Sequence, residues 1–236
     1  MSQVRQFTAS FYKVAGVSSI ASGLTTLAVH LVPLAWNNVT TLEQQVGLRS
    51  HPLYLSRLWM VYLHLLLVVI AMVGVALRKI RVAPGPAILG LIGYVFFAFA
   101  ESSRVSLALF AVNASWRATY ASTADEAIRA SMHTLLLAWP GINDALFVLF
   151  SLGFAAGNFF YALATWKSWG IERVVSFALL IWALIGAYGI VQGYVGPSWL
   201  PSLPEWLSYT FQLAVRFLIG AWLLRTPPEP ASPLAG

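Results

Sequence analysis

Residues Gly85 to Val112, GPAILGLIGYVFFAFAESSRVSLALFAV, form an apolar run long enough to cross a bilayer, yet the run carries Glu101 and Arg104. A charge at bilayer depth costs several kcal/mol, roughly 2.5 to 3.5 on insertion scales, so such residues face protein or water and are paired. Positions three apart share a helix face, so Glu101 and Arg104 point the same way and can bridge each other or reach a neighbouring helix together. The rest of the chain must supply their shelter.

It has the material to do so. Of 236 residues, 59% are hydrophobic and only 9% charged, which fits a membrane protein rather than a soluble core. The net charge of +6 would raise nucleic acid as a partner in a soluble domain. Here the basic residues gather at the ends of apolar runs, which fits anionic headgroups and orientation better, so no nucleic-acid partner is expected. The chain has no cysteine, which removes disulfides, thiolate nucleophiles and Cys-ligated metal. The first apolar stretch is too long for a secretory signal and reads as a retained helix.

Six spans follow in order: Ala9–Trp36, Leu58–Leu77, Gly85–Val112, Ile142–Thr165, Val174–Tyr194 and Glu205–Leu224. In the first, Ser19, Ser22, Thr26 and His30 lie on one stripe, and Ser19 with Gly23 gives a small-xxx-small spacing for close approach. Thr123-Ala124-Asp125-Glu126 has the pattern of a capping box and predicts a short interfacial helix up to Trp139, ended by Pro140-Gly141 before the fourth span. Asp144, Ser151 and Asn158 recur every seven positions in that span and are placed on one face. Gly186, Gly189 and Gly193 line the fifth span and suit a membrane-protein partner. Gln212 and Arg216 share a face of the sixth. The expectation is an all-α polytopic domain over residues 1–225, followed by a disordered proline-rich tail over 226–236.

Basic residues set the orientation. With the N-terminus inside, Arg5, Lys13, Arg78, Lys79, Arg81, Lys167, Arg173 and Arg225 are cytoplasmic, against Arg49, Arg57, Arg117 and Arg129 outside, so both termini are placed in the cytoplasm. That topology puts His30, His51, His64, His133, Glu101, Arg104 and Asp144 in or beyond the outer half of the membrane. It predicts a polar cavity walled by the first four spans, with Arg216 as its floor. The same charges also fit a buried ion-pair network that fixes helix packing, and Asp144 also fits a helix cap. His64 with His30 or His133 could hold a haem or a metal, although no histidine pair has a diagnostic helical spacing. Ser-His-Asp chemistry has the residue types without a supporting arrangement. No phosphate-binding glycine loop is present.

The segment Gly153 to Tyr188, GFAAGNFFYALATWKSWGIERVVSFALLIWALIGAY, resembles the DUF4386-like bacterial six-helix membrane proteins, a family without an assigned activity. Lys13-Val14-Ala15-Gly16, Ser56-Arg57-Leu58 and Ala221-Trp222-Leu223-Leu224 are similar as well. His64 departs from the family's pattern, in which an acidic residue is expected in the second helix. The resemblance implies the six-helix fold and nothing further; a bacterial inner membrane is the expected location. The leading functional expectation is a non-enzymatic protein that binds or senses a small ligand, or an accessory subunit, around Glu101, Arg104, Asp144, Gln212 and Arg216. A transporter for a small anionic or amphipathic solute, and a haem- or metal-dependent enzyme through His30, His64 and His133, are the alternatives.

Overall fold

Alternation of long apolar runs with short polar connections leaves each run only one way to satisfy its backbone in hydrocarbon, which is to hydrogen-bond along itself as a helix. The computed structural model describes residues 2–36, 38–196 and 199–225. The tail over 226–236 lies outside the described residues. Helix α1 (Ser2–Leu31) ends in a 3-10 turn; α2 (Leu42–Gly47) is short; α3 (Pro52–Lys79) follows. Helix α4 (Pro84–Ser106) passes through a π-helical stretch, Leu107–Arg117, into α5 (Ala118–Ser122). Then come α6 (Glu126–Thr165), α7 (Ile171–Ile190) with a π-turn at Val191–Val195, and α8 (Glu205–Leu224).

Six of these units are long and apolar enough to cross a membrane, and no strand occurs among the described residues. Large apolar side chains cover the outside, with Phe99 at 70% and Leu137 at 65% exposure. In water such a surface would aggregate; in a bilayer it meets lipid tails. The chain is a multipass α-helical membrane protein.

The spans close into a ring in which α1 meets α3, α3 meets α4, α4 meets α6, α6 meets α7, α7 meets α8 and α8 returns to α1. The broadest contact joins α4 to α6. Glycines explain it. A Cβ on Gly93 would lie 2.6 Å from the Gly157 nitrogen, and one on Gly153 would lie 2.7 Å from the Phe97 nitrogen, so the two backbones touch. Tyr94 stands beside this seam, fully buried, and donates to Asn158 Oδ1 at 2.6 Å. A second close crossing brings α1 to α8, where a Cβ on Gly220 would lie 2.8 Å from the Gly16 carbonyl.

Three expectations about local structure are corrected. The interfacial helix before the fourth span does not stand apart: Pro140 sits inside one continuous helix of 40 residues, α6. A proline removes one backbone bond and favours a kink, but tertiary support on both sides holds the helix together. Its N-cap is Asp125, which accepts from the Ala127 and Ile128 N–H groups, with Thr123 two residues outside. The glycines of α7 make little close packing, since a Cβ on Gly189 or Gly193 would meet nothing within 4 Å and one on Gly186 would meet Ala155 at an ordinary 3.4 Å.

Candidate functional site

The stripe on α1 is the first wall. Ser19 Oγ donates to the Arg216 carbonyl at 2.7 Å, which ties α1 to α8, while Ser22 and Thr26 donate back to their own helix. Such back-bonding keeps small hydroxyls satisfied without water. One turn on, His30 Nδ1 bonds the Thr26 carbonyl at 2.8 Å, and so must carry the proton. Thr25 Oγ1 donates to the Ser22 carbonyl and therefore accepts from His64 Nδ1 at 2.9 Å. Both imidazoles, when neutral, are left with Nε2 as an acceptor.

His30 and His64 face a cavity of about 330 Å³ inside the ring. All six spans line it, rather than the first four alone. Its polar lining residues are Thr26, His30, Arg57, His64, Glu101, Arg104, Ser151, Ser208 and Gln212. Its aromatic lining residues include Phe97, Phe147, Phe150, Phe154 and Trp182. Gly186 and Gly189 line it too, so the small residues of α7 open space for the cavity.

Glu101 and Arg104 bridge each other. Arg104 Nε donates to Glu101 Oε2 at 2.6 Å and Nη2 to Oε1 at 2.5 Å, a fork that satisfies both carboxylate oxygens. The third nitrogen, Nη1, donates to Asn143 Oδ1 at 3.0 Å. Arg104 therefore spends all its nitrogens on protein acceptors. Asn143 takes the position expected for Asp144, which is exposed, stays off the cavity and only meets the Asn143 amide at 3.4 Å. The heptad spacing misplaces it because an α-helix drifts about 20° per seven residues. Asn158, at the other end of the series, is instead fully buried against Tyr94.

Arg57 was expected in the loop before the second span. It lies in the second turn of α3 and lines the cavity, because α3 begins at Pro52 with His51 as its N-cap. Its Nε donates to the Val29 carbonyl at 3.1 Å, and its two terminal nitrogens have no partner among the described residues. A basic residue directly before an apolar run is the signal that would have found it, since the first turns of a span lie at headgroup depth.

Arg216 is fully buried, and none of its three guanidinium nitrogens has a hydrogen-bond partner among the described residues. It does not line the cavity; Trp182, which does, separates them with its ring 4.9 Å from the Arg216 Cζ, while Tyr94 lies 5.8 Å away. Aromatic faces stabilise a desolvated cation by about 2 kcal/mol or more. Gln212, one turn earlier on α8, does reach the cavity. His133 is exposed beside Tyr120, away from His30 and His64. Only His30 and His64 present ring nitrogens to the cavity, and among the described residues no three histidine, aspartate or glutamate side chains gather as a metal set. The chain matches no family model, no curated protein and no solved structure.

Proposed function

We propose that this protein binds a small anionic amphiphile in the cavity of its six-helix ring, as a binding or sensing protein of a bacterial inner membrane with both termini in the cytoplasm. The observation that carries the reading is the charge balance of the wall. Glu101 is neutralised by Arg104 through a complete fork, so Arg57, which lines the cavity, remains as a cation whose terminal nitrogens have no acceptor among the described residues. A guanidinium in that state presents a ready seat for a carboxylate or phosphate. The aromatic lining residues supply the matching apolar seat. The distribution of basic residues supports the orientation, and the loops around Arg57 then face the outside.

The test is calorimetric titration of purified protein with decanoate, with decanol as the uncharged control. Decanoate should bind and decanol should bind more weakly. Arg57→Gln should weaken decanoate by about tenfold or more, as expected for a charge-assisted hydrogen bond, and leave decanol unchanged. Equal affinities for the two ligands, or an Arg57→Gln protein that binds decanoate like the parent, would remove the reading.

A further inference from the structure

The opposite end of the ring has its own charge pattern. Lys13, Arg78, Lys79, Arg81, Lys167, Arg173 and Arg225 crowd there against a single described carboxylate, Glu172. Much of this charge is already engaged. Arg78 Nη1 donates to the Trp222 carbonyl at 2.7 Å and to the Arg225 carbonyl at 3.1 Å, closing the C-terminal end of α8. Lys79 pairs with Glu172 and donates to Ser168 Oγ at 3.1 Å, and Ser168 donates to Glu172 at 2.7 Å. Arg173 bonds the Trp166 carbonyl and stacks over the Trp166 ring at 4.4 Å.

Lys167 makes none of these contacts. It is exposed, and it borders a groove of about 410 Å³ between the start of α4 and the end of α6, together with Lys79, Ser168 and Trp166. Below the polar rim the groove is apolar, walled by Val82, Pro86 and Leu163. The turn that shapes the rim depends on Gly170 at φ +64°, the one described residue in the left-handed region, which brings the chain from α6 into α7 with Trp169 91% exposed. Helix α4 also starts at the groove, at Pro84, with Ala83 as its N-cap. A cationic rim over an apolar slot, flanked by exposed tryptophans at a span end, complements an ester of phosphoric acid that carries an alkyl chain.

We infer that this groove is a binding site for an anionic phospholipid, with the headgroup phosphate at Lys167 and an acyl chain along Leu163, Val82 and Pro86. This site is separate from the central cavity and does not depend on what that cavity holds. The occupant is a lipid of the surrounding leaflet because the apolar wall would stay unfilled by a soluble phosphate.

The test is native mass spectrometry of the full-length protein released from vesicles of mixed phosphatidylglycerol and phosphatidylcholine. The parent should retain phosphatidylglycerol in preference to phosphatidylcholine. Lys167→Gln, a change at an exposed side chain that leaves the Lys79–Glu172 pair in place, should reduce that retention by about fivefold, the effect of one basic residue at a membrane surface. Lys167→Arg should keep it. Lys13→Gln, which removes a charge at the same end outside the groove, should leave it unchanged. Equal retention of the two lipids would overturn the site, as would a loss with Lys13→Gln as large as with Lys167→Gln. Displacement of the lipid by glycerol 3-phosphate at matched concentration would reassign the groove to a soluble phosphate.

Discussion

Replacing Gly93 by alanine tests the seam on which the ring depends. The new methyl would start 2.6 Å from the Gly157 nitrogen and 2.7 Å from its Cα. Carbon contacts settle near 3.5–4.0 Å, so α4 and α6 must separate by roughly 1 Å. Overpacking of this kind costs about 1–3 kcal/mol. Separation would also lengthen the 2.6 Å bond between Tyr94 and Asn158, both fully buried, which adds about 1–3 kcal/mol. Helix propensity returns about 1 kcal/mol, because alanine is the better helix former. The expected net loss is about 1–5 kcal/mol. Thermal unfolding in detergent, followed by near-ultraviolet circular dichroism, would read it. Gly189→Ala is the matched control, since a Cβ there meets nothing within 4 Å, and it should be neutral or slightly stabilising. A Gly93→Ala protein as stable as the parent, or equal losses at both glycines, would refute the close-packed seam.

The Glu101–Arg104 fork predicts that Glu101→Gln and Arg104→Gln each lower stability by roughly 2–4 kcal/mol and that the double change costs less than their sum; additive losses in the melting curves would show that the two do not act as a pair. Arg216→Met should leave stability unchanged or raise it, since it removes a buried charge with no acceptor among the described residues; a loss above about 2 kcal/mol would reveal a partner for that guanidinium. Single cysteines at Ser122 and Trp169 should be modified from opposite sides of the membrane, the first from outside and the second from inside, and the reverse pattern would invert the orientation.

What the sequence discloses depends on whether the relevant geometry is local. Glu101 and Arg104 are three residues apart, so their fork follows from helix geometry alone. The α1 stripe of Ser19, Ser22, Thr26 and His30 was visible for the same reason, while its tie to the Arg216 carbonyl depends on which helix lies opposite. Asp144 marks the limit of periodic reasoning, because small angular errors accumulate along α6 and the helix is wide enough to turn one carboxylate outward while its neighbour Asn143 takes the inward place. Arg57 was hidden by a boundary error of six residues at the start of α3, enough to move a cavity residue into a loop. The seam of Gly90, Gly93, Gly153 and Gly157 had a visible Gly-xxx-Gly spacing in α6, yet the glycines of α7 looked equally suitable. Only the opposing helix distinguishes a glycine that admits a backbone from one that leaves a space. The π-helical stretch after Arg104 had no signal in composition, since it differs from an α-helix by the register of its hydrogen bonds.

At 40 residues, α6 measures roughly 60 Å, about twice the ~30 Å of hydrocarbon it crosses. Its C-terminal half is clamped at Gly153 and Gly157, and its N-terminal half leans on Val46 and Val112 through Leu136. The helix is thus a long lever with its fulcrum at the glycine seam; Phe147, Phe150 and Ser151 of the cavity wall stand on its long arm close to that fulcrum, and Phe154 stands at it. Rotation by about 5° at the fulcrum sweeps the Glu126 end through roughly 4 Å. Any displacement imposed at Phe147, close to the fulcrum, would arrive magnified at the Glu126 end.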